Sequence, residues 1–149
     1  MTWHDVLLQF AVSYLATVGF SLVFQIPYKY LPVSGLPGAL GWITYVLLEP
    51  VTGLTVSMLA GAVVLTVAAR IISVIVLCPQ TAFLVSGIVP LVPGSGVFLF
   101  VFYLVRQEFR PALMKGLDVI LTCGAILIGI SIVSAIPQEW FNRLKRKKA

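Results

Sequence analysis

Charge is scarce in this sequence. Only 10% of its 149 residues are Asp, Glu, Lys or Arg, against roughly a quarter in soluble domains. With 60% apolar residues and a mean hydropathy of +1.06, a water-soluble fold would have no polar surface. Histidine occurs once and cysteine twice, at Cys78 and Cys123. That argues against a His/Cys metal site and against a disulfide scaffold, and the thiols are expected to be free. No Gly-x-Ser-x-Gly elbow is present, and no Walker lysine follows Pro93-Gly94-Ser95-Gly96. No enzyme, nucleotide site or other cofactor is therefore expected. The first apolar run lacks the basic start of a signal peptide and is too long for a cleaved segment, so it is expected to stay as a helix.

The charge that is present is uneven. Ten Lys/Arg stand against five Asp/Glu, a net +5, and half of the basic residues lie in the tail Arg143, Lys145, Arg146, Lys147 and Lys148. A basic run can bind nucleic acid. Directly after an apolar helix it marks instead a cytoplasmic flank against the anionic lipid bilayer, so no nucleic-acid partner is expected.

At about 20 residues per crossing, the expected fold is all-α and polytopic. About five transmembrane helices form one domain over 1–149, with 143–149 as a basic cytoplasmic tail. Span one, Val6 to Ile26, carries no charge; Trp3, Tyr28 and Tyr30 flank it as interfacial anchors and Pro27 is its natural stop. The next run, Leu31 to Leu48, contains Pro32, Gly35, Pro37, Gly38 and Gly41. Its uninterrupted helix is expected to begin near Pro37, short for a crossing and either tilted or partly re-entrant. Span three, Leu54 to Leu77, has Arg70 as its only charge, about 7 Å past the midpoint. The fourth stretch, Ala82 to Val105, is broken by Pro90-Leu91-Val92-Pro93-Gly94-Ser95-Gly96, which can hardly remain regular helix. Span five, Leu117 to Ile136, closes the set, with Trp140 and Phe141 at its exit.

The basic tail outweighs Arg106, Arg110 and Lys115 on the other flank of span five, which puts the C-terminus inside. Five crossings then put the N-terminus outside and leave a basic 104–116 loop facing outward against the rule.

The broken fourth span is the most informative feature. Unwound backbone inside a bilayer leaves polar groups unpaired, so it is tolerated where it lines a cavity or is buried in protein, and transporters place substrate at such breaks. The competing readings are an ordinary loop or a packing kink. Prolines at 90 and 93 remove two donors, and Gly94 and Gly96 are expected to supply backbone conformations closed to other residues. In span one, Gln9, Ser13, Thr17, Ser21 and Gln25 recur every four residues, a stripe that either packs on another helix or lines a water-filled path. Gly53, Ser57 and Gly61, and Ala125 with Gly129, are small-residue packing faces. Arg70 is either a functional intramembrane cation or an arginine snorkelling to the cytoplasmic surface. Asp118 falls in the first turn of span five, suited to helix capping, with proton coupling as its alternative.

Val18-Gly19-Phe20 with Phe24 and Pro27, Gly38-Ala39-Leu40-Gly41-Trp42, Pro90-Leu91-Val92-Pro93-Gly94-Ser95 and Ser134-Ala135-Ile136-Pro137 are together similar to successive landmarks of the threonine/serine exporter family. They resemble its smaller, C-terminal-type half, which is either fused behind a larger membrane domain or made as a separate subunit. The resemblance implies a subunit of a secondary exporter of small hydrophilic metabolites, threonine/serine-type amino acids or dicarboxylates of the succinate type. It would work with a larger membrane subunit in a homo- or hetero-oligomer. A purely structural subunit is the competing role. Candidate substrate-binding residues are Pro90, Pro93, Gly94, Ser95 and Gly96, joined by Arg70 and Thr17.

Overall fold

A computed structural model of the chain describes residues 3–137. It is built of helices alone among the described residues: α1 (Trp3–Val23), α2 (Leu31–Thr52), α3 (Leu54–Val76), α4 (Gln80–Ile88), α5 (Gly94–Val105) and α6 (Phe109–Ser134), with single 3-10 turns at Tyr28–Tyr30 and Val89–Leu91. The basic tail and the Trp140–Phe141 exit lie outside the described residues.

Two helix starts differ from expectation. α2 does not begin near Pro37 but at Leu31, and it runs through Pro37 as a 22-residue helix. Pro32 sits in its first turn, where the missing N–H costs nothing. Pro37 is fully buried, held by packing that offsets the one lost helical bond. α6 begins at Phe109, not Leu117, because Arg110 and Pro111 both fit a first turn. The basic 104–116 loop therefore shrinks to residues 106–108, and Asp118 lies in the third turn of α6 rather than at its cap.

Sharp reversals end three helices. Gln25, Leu77 and Gln107 adopt left-handed φ of 58°, 56° and 60°. The N–H of each following residue reaches back five positions: Ile26 to Ser21 O (3.0 Å), Cys78 to Ser73 O (3.3 Å) and Glu108 to Tyr103 O (2.9 Å). This is the Schellman arrangement, here without glycine. α1 consequently stops at Val23, ahead of Ile26. Gly53 is not on the α3 face but in the α2–α3 turn, at φ 80°.

Small residues set the helix crossings. A Cβ on Gly41 would stand 3.0 Å from Gly61 O, and one on Gly61 would stand 2.8 Å from Gly41 O, so α2 and α3 touch backbone to backbone. A Cβ on Gly129 would lie 2.9 Å from Ala62 Cβ, locking α6 on α3. In lipid, where burial of apolar area gives no drive between helices, such close approach supplies the packing. Met58, Ala62, Leu65, Leu91 and Ile126 form the centre of the core, and Ala69, Ile72 and Phe83 form a second cluster.

The order of contacts counts the crossings. Arg70 near the end of α3 bonds Gln80 at the start of α4 and the Val133, Ser134 and Ile136 carbonyls at the end of α6. These three ends therefore share one side, the Arg70 end. α5 lies antiparallel to α6, with Gly96 against Val119 and Gly116 against Phe100, so the connection at 106–108 is at the opposite side, the Gly53 end. α4 and α5, bent by 49°, thus make one broken crossing. With α1, α2, α3 and α6, each long and apolar enough to cross a membrane, the described residues supply five crossings when the bent pair is taken as one. The first and last helices begin and end on opposite sides.

Candidate functional site

The break is built from local backbone chemistry. Val89–Leu91 tightens into a 3-10 turn, with Pro90 at a position where no donor is needed. Val92 is extended, and Pro93 precedes α5. The Gly94 N–H donates to Val92 O at 2.7 Å and the Val97 N–H to Pro93 O at 3.1 Å. The N–H groups of Ser95 and Gly96 find no backbone acceptor among the described residues, as the first turn of a helix requires. Gly94 and Gly96 do not carry the unusual backbone expected of them: among the described residues Gly53 is the glycine at positive φ. Their small size is what matters. A Cβ at Gly96 would stand 2.8 Å from Val119 Cγ2, whereas one at Gly94 would meet nothing within 4 Å.

Gly94 faces open space because the break walls a cavity of about 350 Å³, within the range of small-molecule sites. Pro90, Pro93, Gly94, Ser95 and Gly96 all line it. Trp42 and Tyr45 from α2 supply aromatic walls, their rings tilted 52° to each other with centroids 5.2 Å apart. Leu54 and Met58 come from α3, Leu99 from α5, and Lys115, Asp118, Val119 and Thr122 from α6. Lys115 Nζ lies 3.2 Å from Asp118 Oδ2, and both side chains are about half exposed, at 42% and 48%. The Thr122 hydroxyl is turned onto Asp118 O at 2.7 Å, and Trp42 Nε1–H donates to Gln9 Oε1 at 2.7 Å. At 1.5 Å per residue, Lys115 and Asp118 stand about 10 and 5 Å short of the midpoint of α6, inside a hydrocarbon half-thickness of about 15 Å. The cavity occupies the half of the bundle nearer the Gly53 end.

Thr17 and Arg70 lie elsewhere. Thr17 is fully buried against Gly38, its hydroxyl donating to Ser13 O at 2.8 Å. Ser13 and Ser21 likewise turn their hydroxyls onto carbonyls of their own helix. The middle of the polar stripe, Ser13, Thr17 and Ser21, is therefore a buried packing seam, while Gln25 lies beyond the end of α1 and is exposed. Arg70 does not snorkel: it is 6% exposed, with Nε donating to Gln80 Oε1 at 3.0 Å and Nη1 to the Val133 and Ile136 carbonyls at 2.7 and 2.6 Å. The guanidinium fork satisfies the carbonyls left over at the end of α6, so the side chain is held inside the bundle.

Sequence reasoning missed Lys115 as a cavity residue and read Asp118 as a cap, since a helix begun at Leu117 leaves one in a loop and the other at a terminus. The spacing Lys115-Gly116-Leu117-Asp118 was the available signal: three residues apart, opposite charges share a helix face. Trp42, Tyr45 and Thr122 carried no comparable mark.

A family profile described as "Threonine/Serine exporter, ThrE" matches residues 9–136, which takes in every cavity-lining residue. Searches of curated proteins and of solved structures find no match.

Proposed function

From the premise that the chain belongs to the threonine/serine exporter family, we propose that it carries threonine- or serine-type amino acids out across the cytoplasmic membrane, by way of the cavity at the Pro90–Gly96 break. The observation that supports this is the coincidence of the broken crossing with a cavity that also holds a half-exposed ion pair at hydrocarbon depth. A polar solute crossing a bilayer needs polar partners in a place that lipid does not reach, and unwound backbone is tolerated there.

The proposed orientation has the N-terminus outside. Arg106 and Arg110 flank the Gly53 end beside Asp5, Glu49 and Glu108, while Lys29 flanks the Arg70 end and the basic tail follows α6 in sequence. Lys115, withdrawn into the cavity, no longer counts as a loop charge, which removes most of the conflict with the positive-inside rule. A larger membrane subunit of the same family is the proposed partner. α5 has no buried residue of its own, leaving Phe98, Val101 and Val105 outward-facing for lipid or for that subunit.

Efflux of radiolabelled threonine and serine from proteoliposomes containing the chain, the larger subunit, or both tests the reading. Export is expected from the pair, and Gly94→Leu is expected to abolish it without disturbing assembly. Full export by the larger subunit alone would leave this chain a structural role; normal export by Gly94→Leu would remove the cavity from the path.

A further inference from the structure

A half-exposed ion pair on a cavity wall at hydrocarbon depth points to function before stability. Lys115 and Asp118 are badly placed to stabilise α6. A cation preceding an anion is the less favourable order for a helical pair, and a lysine near the helix N-terminal end opposes the helix dipole. At 42% and 48% exposure into a cavity, the pair is weakly held and opens at little cost. Among the described residues no other residue lining the cavity carries a charge, so the site offers one positive and one negative group.

We propose that Lys115 and Asp118 are the specificity-determining pair of the cavity, and that their mutual contact stands in for the solute when the cavity is empty. The inference rests on the reading of the cavity as the solute site. A zwitterionic α-amino acid opens the contact: Lys115 and the free N–H groups of Ser95 and Gly96 take its carboxylate, and Asp118 takes its ammonium. α5 presents those N–H groups at its N-terminal, anion-favouring end. Each protein charge thereby exchanges one counter-charge for another, and no charge is left bare. A dicarboxylate leaves its second negative group facing Asp118 with one lysine to share, so the same pair excludes it.

Counterflow in membrane vesicles from cells that make the chain in its own assembly tests this. Vesicles are loaded with L-threonine and uptake of labelled L-threonine is competed by threoninol, which lacks the carboxylate, by 2,3-dihydroxybutyrate, which lacks the ammonium, and by succinate. In the unaltered protein each competitor is expected to be weaker than L-threonine by about tenfold or more, the scale of one charge-assisted hydrogen bond. Lys115→Gln should cut the preference over threoninol severalfold, to what the backbone N–H groups alone supply, and keep that over 2,3-dihydroxybutyrate; Asp118→Asn should remove the preference over 2,3-dihydroxybutyrate and keep that over threoninol. A purely structural role would weaken all ligands by one factor and leave the ratios unchanged, which would overturn the proposal. So would succinate or threoninol competing as well as L-threonine in the unaltered protein, a result that needs no variant to fold. Gly94→Leu separates the two readings. If it abolishes counterflow while the ratios ignore Lys115 and Asp118, the pair alone is misassigned; if counterflow survives it, the cavity itself is.

Discussion

Gly94 and Gly96 lie two residues apart in one helical turn, and alanine should act on them in opposite directions. At Gly94 the new Cβ meets nothing within 4 Å and the backbone φ is not positive. Gly94→Ala therefore gains the helical preference of alanine, up to about 1 kcal/mol. At Gly96 the new Cβ would stand 2.8 Å from Val119 Cγ2, closer than such atoms approach, and α5 rests on α6 through that contact. Pushing the helices apart costs about 1–3 kcal/mol. Val119→Ala removes the offending methyl, so the double variant Gly96→Ala/Val119→Ala should recover most of the loss, as a coupling of about 1 kcal/mol or more in a double-mutant cycle. Reversible unfolding in mixed micelles, followed by circular dichroism, reads all four proteins. Equal losses at the two glycines, or additivity of the 96 and 119 changes, would refute the reasoning that one glycine guards a cavity and the other a helix contact.

Arg70→Leu should destabilise the bundle by about 2 kcal/mol or more, since the last α6 carbonyls lose their donors; Arg70→Lys should rescue little, lacking the fork. Detergent-unfolding midpoints check both, and an Arg70→Lys protein as stable as the parent would count against the clamp. Gln107→Gly should stabilise by about 1 kcal/mol by relieving a left-handed glutamine, visible as a raised unfolding midpoint. In a cysteine-free background, a cysteine at position 3 should react with an impermeant reagent from outside and one at 147 should not; labelling of both from outside would contradict an odd number of crossings.

Much of the fold was legible because lipid imposes one strong rule, long runs with little or no charge, and the runs beginning near Val6, Leu54 and Ala82 show it plainly. The errors fell where local chemistry is ambiguous. Pro37 reads as a helix breaker, yet in α2 it is enclosed by neighbours and the helix passes through it. Arg110, Pro111, Lys115 and Gly116 read as loop, yet a proline and a cation within the first two turns leave a helix intact. Gln25 holds a position where glycine would have announced a stop, so the end of span one was drawn from Pro27 instead.

The candidate site was legible in its backbone and hidden in its side chains, and the reason is one of registration. Prolines and glycines mark the break wherever the neighbouring helices lie, so Pro90 to Gly96 could be read without knowing what they face. Which charges face them depends on where α6 starts. Moving that start from Leu117 to Phe109 carries Lys115 from a loop into the span and Asp118 from a cap to a cavity wall. The same shift removes a cation from the flank that the proposed orientation places outside. Under the proposed orientation, most of the conflict with the positive-inside rule then follows from the misplaced helix start, because Lys115 is counted in a loop when it belongs to the span.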